Sequence, residues 1–314
     1  MTAPGRIEIV DAPLPEPGPG QVRIRLQGCG VCASNLGPWA GPPWMEFPTE
    51  PGAMGHEGWG LVDKIGPSVS GIEAGMRVAT LSGSSFAEYD LAAEDEVLPL
   101  PQALSDQPVP GEPLGCAMNI FRRSDVQPGM TVAIVGIGFL GALLTGLCKD
   151  AGASVIAISR RDFSLDLARR YGADHVLSLG LGRAAIGEAV GKLTDGAGCA
   201  RVIEAVGMQD SLDLSGDLVA EGGRLVVAGY HQDGPRQVNM QMWNWKGIDV
   251  VNAHERDPAV QRRGVTEAIA AMESGRIDPA PLLTHRYALE RLGDALDGAR
   301  DRADGFVKAW VTFD

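Results

Sequence analysis

Positive charge is scarce in this chain: 27 lysines and arginines stand against 40 aspartates and glutamates, a formal net charge of −13. A polyanion requires a field of the opposite sign, so DNA and RNA are excluded as partners. Cysteine is also sparse. Five residues (Cys29, Cys32, Cys116, Cys148, Cys199), an odd number spread over a long chain, argue against a secreted disulfide framework and leave metal binding, catalysis or burial. No stretch approaches 18 uninterrupted apolar residues, which excludes a transmembrane helix. The opening "MTAPGRIEIVDAPLPEPG" lacks the basic, apolar and small-residue order of a signal peptide, so the expected location is cytoplasmic.

The chain has 314 residues, 45% of them apolar and 21% charged, as expected of a globular protein with two domains. Residues 1 to about 118 are rich in glycine and proline and broken into short alternating runs. "QVRIRLQGCGV" is apolar at Val22, Ile24 and Leu26 with polar residues between, the period of a half-buried strand. "GLVDKIG" and "SFAEYDLAAEDEVLPLP" read the same way. From about residue 124, "TVAIVGIGFLGALLTGLCKDAGASVIAIS" reads as strand, glycine turn, helix and strand, a βαβ unit of a parallel sheet. "LDLARRYGA" is the next helix, "ARVIEAVG" a strand, "LDLSGDLVAEGG" a helix stopped by glycine, and "GRLVVAGY" another strand, predicting a doubly wound α/β domain. After two amphipathic segments the closing strand "GFVKAWVTF" is expected to return to the first domain.

"VGIGFLG" places Gly136, Gly138 and Gly141 in G-x-G-x-x-G spacing around Ile137, Phe139 and Leu140, after an apolar strand and at the start of a helix. Such glycines permit a tight turn and let a pyrophosphate reach the backbone, while the helix N-terminus supplies N–H donors, so a dinucleotide is the expected ligand. An acidic residue near the end of the second strand would bind the ribose hydroxyls of NAD. Here Ser159 holds that place, followed by Arg160 and Arg161. Guanidiniums beside a small hydroxyl suit a 2′-phosphate, which favours NADP over NAD; Asp162, which follows, can also reach an adenosine ribose.

"PGAMGHEGWG" sets His56 beside Glu57 within a run of glycines. Thiolate and imidazole are borderline-soft ligands suited to zinc, and a carboxylate can complete the shell, so Cys32, His56 and Glu57 form a candidate metal set. Spacing alone does not bring residues 32 and 56 together.

Taken in order, "GCGVCASN", "GHEGWG", "GEPLG", "VGIGFLG", "RVIEAVG", "GGRLVVAG", "WKG" and "DGFVKAWVTF" resemble the zinc-dependent alcohol and polyol dehydrogenases of the medium-chain dehydrogenase/reductase superfamily over nearly the whole chain. The resemblance implies a GroES-like β-rich catalytic domain over 1–120 and 255–314 and a Rossmann domain over 121–254. It also implies one catalytic zinc at Cys32 and His56, with Glu57 on the metal or just behind it. Glu112 of the "EPL" motif is the preferred further ligand, with Cys116 four residues on as the competitor. Ser34 matches the hydroxyl that starts the family's proton relay. Asn35 stands where relatives commonly have an aspartate supporting the ligating histidine. "ATLSGSS", between Val78 and Phe86, holds none of the four cysteines that bind a structural zinc in many relatives, so no structural zinc is expected.

The activity implied is NAD(P)-linked interconversion of a secondary alcohol and its ketone, on a polyol, sugar, cyclitol or related polar metabolite, by a dimer or tetramer. A zinc-independent quinone or enone reductase and a non-catalytic cofactor sensor are the alternatives. Trp39, Trp44, Met45 and Phe47 either line an apolar pocket or pack their loop. Cys29 reads as a small packed residue, and burial is the expected state of Cys148 and Cys199. His175, His231 and His285 read as solvated or structural, while His254 is placed to reach substrate.

Overall fold

The computed structural model describes residues 1–313. In chain order the strands are β1 (Gln21–Gly30), β2 (Gly58–Ile65), β3 (Arg77–Thr80), β4 (Tyr89–Ala93), β5 (Val97–Pro99), β6 (Thr131–Val135), β7 (Ser154–Ser159), β8 (His175–Ser178), β9 (Cys199–Glu204), β10 (Val219–Val227), β11 (Asp249–Asn252), β12 (His285–Ala288) and β13 (Ala309–Thr312). The helices are α1 (Leu36–Ala40), α2 (Gly111–Ser124), α3 (Phe139–Asp150), α4 (Asp162–Arg170), α5 (Arg183–Leu193), α6 (Gln209–Leu218), α7 (Met240–Lys246), α8 (Pro258–Glu273) and α9 (Leu292–Asp301). Two compact units result: Met1–Gly115 with the chain from Pro258 onwards, and Cys116–Asp257. No helix among the described residues is long and apolar enough to cross a membrane.

The first unit is a sheet in the order β12-β13-β1-β2-β3-β5, with β4 also paired to β1. Val22, Ile24 and Leu26 enter one apolar cluster with Val62, Val78 and Val97. The alternation then breaks. A register shift between Leu26 and Gly28 against β2 leaves Gln27 exposed and turns Cys29 inward, into a second cluster with Val31, Trp39, Leu296, Phe306 and Val311. That bulge brings the chain to Cys32. The closing strand β13 pairs antiparallel with β1, opposing Cys29 to Val311 and Gly30 to Trp310.

The second unit is a parallel sheet in the order β11-β10-β9-β6-β7-β8. Val132, Ala133, Ile134 and Val135 of β6 are fully buried, which explains the unbroken apolar run where the first unit alternates. Each large aliphatic side chain buried in this way contributes about 1.5–3 kcal/mol. Because β6–β8 build the sheet one way and β9–β11 the other, the topological switch point falls between β6 and β9. One expected helix is shorter than its pattern: α6 ends at Leu218, and "VAEGG" already belongs to β10. Gly222 takes a positive φ of 66° there, so those glycines shape an irregular strand start rather than a helix end.

Candidate functional site

Ligand atoms of Cys32, His56 and Glu57 all lie within 4.8 Å of one another. Cys32 follows the end of β1, and His56 and Glu57 immediately precede β2, the strand beside it, so the pairing of these two strands closes the 24-residue gap in sequence. His56 Nδ1 is 2.8 Å from the Met54 carbonyl oxygen, to which it donates, leaving Nε2 for the cluster. Asn35 braces the same carbonyl: its Nδ2 donates to Met54 O at 2.9 Å while its Oδ1 accepts from the Cys32 N–H at 2.9 Å. The amide thus supports His56 through backbone rather than by touching the imidazole. Ser34 Oγ lies 3.4 Å from His56 Nε2.

Glu57 is 0% exposed. Its carboxylate fits because Gly30 has no side chain; a Cβ there would stand 1.8 Å from Glu57 Oε2. A buried carboxylate needs a counter-charge, and Lys308 of the C-terminal segment, 6% exposed, supplies it. Lys308 Nζ donates to Glu57 Oε1 at 2.8 Å and to the Val31 carbonyl at 3.2 Å. It also lies 2.7 Å from Glu57 Oε2, close enough for an ion pair although the angle there is not that of a hydrogen bond. Burial pulls the Lys308 ammonium down, but Glu57, Cys32 and Glu112 outweigh it and hold the group above its ordinary value.

Burial likewise disfavours a charged His56, yet the hydrogen bond to Cys32 and the charges of Cys32, Glu57 and Glu112 raise its pKa from 6.5 to about 10. Cys32, Glu57 and Glu112 therefore all act on one imidazole in the sense that favours its positive form. The donor set is soft sulfur, imidazole nitrogen and carboxylate, which suits zinc. Glu112, in the first turn of α2, acts on His56 by its charge but lies outside the three-residue cluster; Cys116 is one turn further along the same helix.

Several other expectations meet specific surroundings. Trp39 is buried in the core and donates from Nε1 to Asp297 at 2.9 Å, whereas Trp44 is 73% exposed. Cys29 is buried and its thiol pushed well up, first by burial and then by the Glu57 charge. Burial also takes Cys148 and Cys199 to about 12. His285 packs against Phe306, and His254 is exposed, with its ring 5.6 Å from that of Tyr230.

In the second unit the glycine turn runs from β6 into α3. Gly136 has a φ of 101°, and a Cβ on it would meet Val206 at 2.5 Å; a Cβ on Gly141 would meet the Gly136 carbonyl at 2.0 Å. Gly138 differs, since a Cβ there would meet nothing within 4 Å. It caps α3 without any side-chain hydrogen bond, so open space lies beside a helix N-terminus. Phe139 and Leu140 form the first turn of α3. Ser159 closes β7 and is buried; Arg160 is exposed, and Arg161 precedes the first turn of α4.

Among the described residues, four buried charged side chains lie outside the residues expected at the site: Arg23, Asp90, Glu204 and Lys308. Glu204, at the carboxyl end of β9, accepts through Oε1 from the N–H groups of Val206 and Gly207 at 2.8 Å each and from Ser211 Oγ at 2.7 Å. His231 Nε2 meets its other oxygen at 3.0 Å, and Arg236 Nε donates to His231 Nδ1 at 2.8 Å. The network ties together the loops that follow β9 and β10. The signal available in sequence is a charged residue at the end of an otherwise apolar strand.

Comparison with known proteins places the chain in a family. The model of the alcohol dehydrogenase GroES-like domain matches residues 18–102, and that of the zinc-binding dehydrogenases matches 140–273. An alcohol dehydrogenase of Cupriavidus necator is 27% identical over 356 residues, covering 97% of this chain and 95% of the relative. A sorbitol dehydrogenase of Halalkalibacterium halodurans is 26% identical over 318 residues, covering 91% and 90%. Among solved structures, a putative zinc-binding dehydrogenase of Sinorhizobium meliloti 1021 bound to NADP superposes with a TM-score of 0.85 at 27% identity, covering 99% of this chain and 97% of that one. The chain belongs to the zinc-type alcohol and polyol dehydrogenases of the medium-chain dehydrogenase/reductase superfamily, and it is an oxidoreductase of the alcohol dehydrogenase kind.

Proposed function

We propose that the protein is a zinc-dependent, NADP-preferring dehydrogenase that interconverts a secondary alcohol of a polyol, sugar, cyclitol or similar polar metabolite with its ketone. The observation that carries the reading is the convergence of Cys32, His56 and Glu57, with His56 Nδ1 committed to Met54 and Nε2 left to the cluster. Cys32, His56 and Glu57 would hold the metal, with Glu112 in preference to Cys116 as the further ligand. Zinc, when bound, would supply Lewis acidity, and the dinucleotide would supply the hydride acceptor or donor.

The chain's own residues do the rest. Ser34 receives the proton of the alcohol and passes it outward. Lys308 holds the Glu57 carboxylate in place through its hydrogen bond to Oε1, so the carboxyl group is positioned before substrate arrives. Gly136, Gly138 and Gly141, with Phe139 and Leu140, receive the pyrophosphate, and Ser159, Arg160 and Arg161 receive the 2′-phosphate of NADP. The NADP bound by the Sinorhizobium meliloti relative supports that preference, and the sorbitol dehydrogenase relative supports a polar alcohol.

The test is turnover of a panel of polyols and secondary alcohols with NADP and NAD, before and after chelation. Activity that disappears with the chelator and returns with zinc supports the proposal. Reduction of quinones or enones that chelation does not touch would assign the chain to the metal-free reductases.

A further inference from the structure

Strand β4 carries a buried carboxylate that neither the metal set nor the cofactor turn uses. Asp90 of β4 is 3% exposed, and its Oδ2 accepts from Ser82 Oγ at 2.6 Å and from Ser85 Oγ at 2.7 Å. Thr80 Oγ1 donates in turn to Ser82 Oγ at 2.9 Å, and Thr80, Ser82 and Ser85 are all buried. Burying a carboxyl group is costly, and the two hydroxyl donors of this knot offset part of that cost while fixing the geometry around it.

Its outward contacts are with the segment that bears His56 and Glu57. The Ser85 N–H donates to the Gly55 carbonyl at 2.9 Å and the Phe86 N–H to the Gly52 carbonyl at 3.0 Å. On the far side, a Cβ on Gly58 would stand 2.4 Å from Ser85 Oγ, and one on Gly55 would stand 2.3 Å from the Phe86 nitrogen. Gly55 and Gly58 are the residues on either side of the His56–Glu57 pair. The turn at residues 82–86 therefore presses on both flanks of the pair, and Asp90 sets the shape of the turn.

We propose that Asp90 is a positioning residue for the metal centre, acting through Ser85 to set the backbone around His56 and Glu57 and hence the spacing of their ligand atoms from Cys32. The inference rests on the zinc reading above. Supporting partners of metal ligands typically change metal affinity about 10–100-fold when removed.

The experiment uses the full chain, stripped of metal, and compares wild type with Asp90→Asn and Ser85→Ala. Zinc affinity is read by competition with a chromophoric chelator, and ligand geometry by the visible absorption of the cobalt(II)-substituted protein. The expected result is zinc binding about 10-fold or more weaker in Asp90→Asn, a smaller loss in Ser85→Ala, and a shifted cobalt band in both. A lowered melting temperature with unchanged zinc affinity and cobalt spectrum would overturn the inference, because that is what a purely structural role gives. If Asp90→Asn does not fold, Ser85→Ala decides on the same two readouts. Wild-type protein that takes up no zinc overturns the zinc reading itself, whereas wild-type binding matched by both variants overturns this inference alone.

Discussion

The two units build their sites from different materials. In the second unit the candidate cofactor surface is backbone: a glycine turn, an uncapped helix N-terminus and an open space at Gly138 where a side chain would stand. In the first unit it is side chains: a thiol, an imidazole and one buried carboxylate, paired with one buried ammonium from the last strand region. A backbone site tolerates change in its neighbours but not in its glycines. A side-chain site depends on charge balance drawn from distant parts of the chain.

The comparison breaks most sharply at the ligands. Cys32→Ala and His56→Ala should each lose bound zinc and lower turnover by about 10³-fold or more, the several kcal/mol that a Lewis acid supplies. NADPH affinity, measured by fluorescence, should stay at the wild-type value. Next comes the counter-charge. Lys308→Met leaves the Glu57 carboxylate buried without its cation, and should cost about 3–5 kcal/mol in urea unfolding, with Lys308→Arg restoring much of it. Equal stability of wild type and Lys308→Met would show that Glu57 is balanced by something else.

The backbone site is tested by Gly138→Ala. The added methyl meets no protein atom within 4 Å, so folding stability should hardly change. It would occupy the space assigned to the pyrophosphate, so NADPH and NADH should both bind about 10-fold or more weakly, a change of ~1.4 kcal/mol or more. Arg160→Ala sharpens the same side: NADPH should weaken about 10-fold while NADH is unaffected, as the loss of a charge-assisted hydrogen bond requires. Equal losses for both cofactors would remove the 2′-phosphate assignment.

How much of this was legible follows from the same contrast. A backbone site writes its signature locally, so "VGIGFLG" after an apolar strand announced the turn, and the unbroken apolar run announced the buried parallel strand. The side-chain site is legible only in part. His56 and Glu57 sit together in sequence, and Cys32 belongs with them because β1 and β2 pair, a fact that spacing does not contain. Lys308 was not legible at all: a lysine in a closing apolar strand looks like an exposed edge residue until β13 is placed beside β1. Trp39 stayed open between a pocket and packing because its apolar ring suits either, and its burial with Nε1 on Asp297 fits the packed alternative. The glycines after α6 misled because they stop a helix and shape a strand start with the same freedom.

The smallest expected effect lies in the second unit. Asp174 pairs with Lys149 and accepts from the Val155 N–H at 2.8 Å, tying the segment before β8 to α3 and β7. Burial raises its pKa, but the hydrogen bonds to Lys149 and Val155 win and hold it below the ordinary value of 3.8. A depressed carboxylate stabilises the fold above its unfolded pKa and loses that contribution as pH falls through the folded one. Asp174→Asn should therefore cost about 1 kcal/mol or less at neutral pH, and the difference from wild type should shrink as acid protonates the carboxylate. A difference that persists unchanged under strong acid would mean that the carboxylate charge is not the cause.

The metal centre is the claim on which the activity depends, and the most direct test is elemental analysis of protein purified from zinc-supplemented medium, beside Cys32→Ala handled identically. One zinc per wild-type chain and none in the variant is the predicted result. No zinc in either, from folded protein that still binds NADPH, would contradict it.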